Sequence, residues 1–131
     1  MSAALAARNA EATYRSVDLA GRTGSADNHQ LVALLYDELI RALNIAALAA
    51  EKSNYALRGE RVTRATAILF ALEAGLDFER GGEVSRTLAQ LYRGLRAQVL
   101  DASIGTDPAP FRAVAADIAE IAGAWNSVRG S

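Results

Sequence analysis

A single histidine, His29, and no cysteine make up the soft ligands and base-type side chains of this 131-residue chain. A di-iron bundle needs Glu-x-x-His pairs facing inward from two helices, and one histidine cannot supply them. A phosphorelay needs its reactive histidine exposed in mid-helix beside basic residues. His29 stands instead at the start of a predicted helix, where the expectation is an exposed first-turn residue or an aid to capping. No Ser, His and Asp set, no pair of buried carboxylates and no Gly-rich phosphate loop can be assembled from the remaining residues. The expectation is a protein with no catalytic residues, no metal and no cofactor, whose chemistry is binding and which is not an enzyme.

The residues suited to binding are apolar. Over 31–48 a helix at 100° per residue carries Leu31, Leu35, Ala42, Ala46 and Ala49 on one stripe and Val32, Tyr36, Ile40, Leu43 and Ala47 on a second beside it. Asp37, Arg41 and Asn44 define the polar side. A bundle helix needs an apolar arc of roughly 100° or a little more, and this one continues past that. The surplus must be covered by a second layer of the same chain, a second subunit or a partner's helix.

Composition narrows the setting of these stripes. Fourteen basic residues against fifteen acidic ones leave no electrostatic footprint for nucleic acid or anionic lipid. The absence of cysteine is compatible with a reducing compartment. The first dozen residues include Arg8 and Glu11 and no signal-peptide core, and no later span reaches transmembrane length without charge. A cytoplasmic protein without membrane insertion is expected. Only two prolines and few β-branched alternations point to an all-α chain, and its length suits one domain with a self-sufficient core.

The elements follow from periodicity and breakers. Residues 3–19 form a weakly apolar helix anchored by Tyr14 and Val17; alanine buries little area, so it docks loosely, at a few kcal/mol at most from about 25 cal/mol per Å². Gly21, Gly24, Ser25, Asp27 and Asn28 break the chain. The next helix runs to about Lys52, and Ser53 or Asn54 caps a third with Val62, Ala65, Leu69, Leu72 and Leu76 inward. Its back carries Ala67, Ala71, Ala74 and Phe78 where Lys and Glu are usual. Gly81 and Gly82 are expected to end it, with Glu83 in the first turn of a fourth helix whose stripe is Val84, Leu88, Leu91, Leu95 and Val99, flanked by Tyr92. Asp107 and Pro108 open a fifth, with Phe111, Val114, Ala115, Ile118, Ile121, Ala122 and Trp125 on one face. Short turns make the four long helices antiparallel neighbours. The predicted architecture is an antiparallel up-and-down four-helix bundle over 25–128, an additional short N-terminal helix and linker over 1–24, and a frayed tail over 129–131.

Several motifs resemble one family. Ala26-Asp27-Asn28-His29-Gln30-Leu31 leading to Leu34-Leu35-Tyr36-Asp37 is similar to a helix opening in the FliS family of flagellin export chaperones. Leu76-Asp77, Glu79, Gly81-Gly82-Glu83-Val84, Leu88 and Leu91-Tyr92 resemble a later turn of that family. Ala124-Trp125 resembles its closing segment, and Tyr14 with Val17 its N-terminal Tyr and Val. Asn28 and Glu38 stand where members often have Pro and Gly, and an Ala-rich stretch replaces the usual Asn-Pro-Tyr start.

The resemblance implies a cytoplasmic chaperone that binds the C-terminal disordered region of flagellin, prevents its premature polymerisation and delivers it to the flagellar type III export gate. In that reading Val32, Tyr36, Ile40, Leu43, Ala67, Ala71, Ala74, Phe78 and Tyr92 line a partner groove, and Tyr14 and Val17 belong to a lid over it. A monomer or weak dimer is expected. The alternatives are a helical homo-oligomer, in which the surplus faces meet across a two-fold axis, and a regulatory module for a different helical partner such as an anti-sigma factor.

Overall fold

The computed structural model of the chain describes residues 25–130. Four helices fill that span: α1 (Ser25–Glu51), α2 (Tyr55–Ala74), α3 (Phe78–Ala102) and α4 (Ala109–Gly130), with no strand among the described residues. α1 packs on α2 and α4, α2 packs on α3, and α3 meets α4 least closely. With such short links this is the expected all-α, up-and-down four-helix bundle. The additional N-terminal helix, with Tyr14 and Val17, lies outside the described residues, as does Ser131.

α1 resolves the question of its own surplus. It is wedged between α2 and α4, and Tyr36, Leu39, Ala42, Leu43, Ala46 and Ala47 are fully buried, with Ala49 and Ala50 nearly so. Much of both predicted stripes is therefore covered by the same chain. Five of these eight core residues are alanine, which lets the neighbouring backbones approach closely. α3 supplies the bulk that fills the remaining space: Leu88, Tyr92, Leu95 and Val99 lie in the core. The predicted α3 stripe is rotated accordingly. Tyr92, expected at the flank, is buried, whereas Val84 and Leu91 are only half-buried.

The first turns show why helices begin where they do. The Asn54 side chain accepts a hydrogen bond from the backbone N–H of Leu57 at 3.2 Å, capping α2. Asp107 Oδ1 accepts from the N–H of Ala109 at 2.9 Å and opens α4, whose predicted inward face is buried at all seven positions.

The α2–α3 junction differs from the expectation. α2 ends at Ala74, with the Gly75 N–H bonded to the Ala71 carbonyl at 3.0 Å. Asp77 Oδ1 then accepts from the N–H groups of Glu79 and Arg80, both at 3.1 Å, so α3 starts at Phe78 rather than after Gly82. Gly82 takes φ 50° and ψ −125° inside α3 and marks a kink, not a terminus. Ser85 Oγ donates to the Asp77 carbonyl at 2.9 Å and ties the turn before the kink to the helix after it.

Specific polar ties cross the bundle. The Tyr36 and Tyr92 hydroxyls are 2.7 Å apart in the core. Trp125 Nε1 donates to the His29 carbonyl at 2.8 Å, and the two rings stack with centroids 4.2 Å apart. His29 is thus buried under Trp125 rather than exposed at the start of its helix. Arg58 reaches from α2 to the carbonyls of Ser103 and Gly105 at 2.7 and 2.5 Å, and Arg112 of α4 pairs with Glu51 of α1.

Candidate partner-binding surface

Two helix ridges meet along the outside of the α1–α2 seam. On α1, Leu31, Leu34, Glu38, Arg41, Ile45 and Leu48 follow at alternating three and four spacing, and so share a face. Glu38 pairs with Arg64 of α2 at 3.5 Å, which fixes where that ridge borders α2. From Arg64, Ala67, Ala71 and Ala74 follow at the same alternating spacing. The helices are antiparallel, so one turn toward the start of α1 is one turn toward the end of α2. That register brings Leu34 level with Ala67, and Leu31 level with Ala71.

The strip is apolar and open. Leu31 is 54% exposed and Leu34 64%, and Ala67, Ala71 and Ala74 are all exposed. Leucines project from one wall, and the alanines of the other let an incoming helix or extended segment approach the backbone. Complete burial of two leucines is worth about 3–6 kcal/mol, and roughly half-exposed side chains retain about half of that for a partner. The Glu38–Arg64 pair bounds the strip toward the middle of the bundle.

The predicted groove residues do not all come together here. Ala67, Ala71 and Ala74 share the α2 wall. Tyr36, Leu43 and Tyr92 are buried in the core, so they do not line an open surface; the wedged position of α1 turns that stripe inward, and the two tyrosine hydroxyls bond to each other. Val32 and Ile40 are half-buried and pack against the core. Phe78 is exposed, but it opens α3 instead of lying on the back of α2. Tyr14 and Val17 fall outside the described residues. The sequence reading left Leu34 out of the groove, and it placed Leu31 on the stripe beside the groove residues. The ridge spacing that links both leucines to Glu38 was the signal available for them.

Titratable groups add little to this surface. Asp117, on α4, has its carboxyl pushed above the ordinary value, first by burial and then by the nearby Glu120 charge. Among the described residues no group of His, Cys, Asp or Glu is placed to hold a metal ion, and no helix is long and apolar enough to cross a membrane.

Comparison with known proteins places this bundle among relatives. The family model described as "Flagellar protein FliS" matches residues 9–131. The chain is 33% identical over 116 residues to the flagellar secretion chaperone FliS of Salmonella typhimurium, covering 88% of this chain and 86% of the relative. It is 30% identical over 115 residues to FliS of Vibrio cholerae, covering 88% and 85%, and 28% identical over 115 residues to the flagellar secretion chaperone FliSB of Pseudomonas aeruginosa, covering 88% and 91%.

Proposed function

The chain belongs to the FliS family of flagellar secretion chaperones, and from that membership we propose that it binds the C-terminal disordered segment of flagellin in the cytoplasm. Binding keeps the segment from polymerising and presents it to the flagellar type III export gate. The observation that carries this reading is the open apolar strip of Leu31, Leu34, Ala67, Ala71 and Ala74. A disordered segment with an amphipathic pattern loses its capacity to self-assemble while its apolar residues are occupied, and a shallow strip between two helices suits such a segment.

The deciding experiment is calorimetric titration of the full chain with a peptide spanning the C-terminal segment of flagellin, beside one from its N-terminal region. One-to-one binding of the C-terminal peptide with a negative heat-capacity change supports coupled ordering on an apolar surface. Leu34→Asp and Ala71→Asp should each weaken it by about tenfold, roughly 1.4 kcal/mol, with the melting temperature held. Equal binding by both variants removes the strip as the site, and no binding by the C-terminal peptide removes flagellin's C-terminal segment as the partner.

A further inference from the structure

The other long edge of α2 carries a different surface. Phe70 is 62% exposed, and the Arg96 guanidinium of α3 lies over its ring at 5.6 Å from the centroid. Arg93 Nε donates to Glu73 Oε2 at 2.6 Å and Arg96 Nη1 to Glu73 Oε1 at 3.3 Å, so two guanidinium groups converge on one carboxylate. The Glu73 side chain is only 15% exposed, whereas that of Arg93 is 59% exposed. One turn on from Arg96, on the same face of α3, stands Leu100, itself 49% exposed.

The charge of this seam is unbalanced by construction. Glu73 satisfies one positive charge and leaves one over, while the next arginine back along the ridge, Arg86, is already matched by Glu83 at 2.5 Å. Glu73 holds both guanidinium groups in place, so their outward N–H edges are preorganised for a second anion. Phe70, level with Arg96, and Leu100, one turn further, lie about 6 Å apart along the axis, the pitch at which an amphipathic helix sets its i and i+4 side chains. An exposed aromatic beside arginine is also the composition enriched at interface hot spots.

We infer that this α2–α3 seam is a second docking surface, bordering the α1–α2 strip, for an acidic amphipathic helix whose apolar side chains cover Phe70 and Leu100 and whose carboxylates bind Arg93 and Arg96. The two surfaces adjoin across the outer face of α2, where Phe70 stands one turn from both Ala67 and Ala74, but the arginines that bind the carboxylates lie on α3, off the strip. This surface does not depend on flagellin being the occupant of the first.

The test titrates the full chain, labelled with nitrogen-15, with two synthetic helical peptides. Both carry leucine at i, i+3, i+4 and i+7; one has glutamate at its other positions and the other has lysine. The glutamate peptide should shift amide resonances around Phe70, Arg93 and Leu100, and the lysine peptide should bind at least about tenfold more weakly. Phe70→Ala and Arg93→Gln, both at exposed positions, should each weaken the glutamate peptide about tenfold with an unchanged melting temperature, while Leu34→Asp leaves it as it was. Equal affinity for the two peptides, shifts centred on Leu31 and Ala71, full binding by Phe70→Ala, or no shifts at millimolar peptide would each overturn the inference. So would full binding by Arg93→Gln, because the carboxylates would then not be held on α3.

Discussion

Tyr36 of α1 and Tyr92 of α3 join hydroxyl to hydroxyl at 2.7 Å in the interior of the bundle, fastening together two helices that are not neighbours around its perimeter. Replacing either by phenylalanine removes this bond, so Tyr36→Phe and Tyr92→Phe should each cost about 1 kcal/mol in urea unfolding. The double variant should lose less than the sum of the two, with a coupling of at least about 0.5 kcal/mol. Strict additivity would mean that the bond contributes nothing to stability.

Trp125 is the only tryptophan, and its stack on His29 makes it a reporter of the end of the bundle where α1 begins and α4 closes. Trp125→Phe keeps an aromatic ring but loses the N–H donated to the His29 carbonyl, and should cost about 1–2 kcal/mol. Trp125→Ala also opens a cavity and should cost about 3–5 kcal/mol. Native tryptophan emission should be blue-shifted and move red together with the loss of helical circular dichroism in urea.

Two glycines of the same helix should respond in opposite directions. Gly82 has a positive φ, a conformation that costs an L side chain about 1–3 kcal/mol, so Gly82→Ala should lower stability by that amount. At Gly94, mid-helix, an added Cβ meets nothing within 4 Å, so Gly94→Ala should raise stability by about 0.5–1 kcal/mol. Thermal melts of the two variants against the parent decide it.

Asp117 sets a small pH dependence. Its folded-state carboxyl is raised above the ordinary 3.8 by burial, then by Glu120, so in the window just above 3.8 the folded chain holds more proton than the unfolded one. Stability therefore falls as pH rises through that window, and the penalty is fully present at neutral pH. Asp117→Asn should melt higher than the parent at pH 7, with the gap closing below pH 4. A gap that persists unchanged in acid would assign the effect to packing.

The helices were legible because their apolar periods and cap residues agree locally. Asn54 and Asp107 cap where their side-chain chemistry suggests, and the α4 face from Phe111 to Trp125 is buried as its spacing implies. The α2–α3 junction was misread because adjacent Gly81 and Gly82 look like a stronger stop than Gly75. The Asp77 side chain nevertheless satisfies two N–H groups and starts the helix before them. The groove was only partly legible for a different reason. A helix that is apolar around most of its circumference has no unique inward direction, and contact with both α2 and α4 chooses one. That choice sends Tyr36 and Leu43 inside and leaves Leu31 and Leu34 outside.

The wedged position of α1 also sets an order of assembly during synthesis. α1 meets α2 across a short turn, so that contact can form as soon as both have left the ribosome, whereas its other flank waits for α4 at the far end of the described chain. Nearby contacts close fast and distant ones slowly, and chains emerge at about 5–20 residues per second. For some seconds the nascent bundle carries α1 with the flank that meets α4 uncovered, and the arrival of Trp125 over His29 ends that exposure.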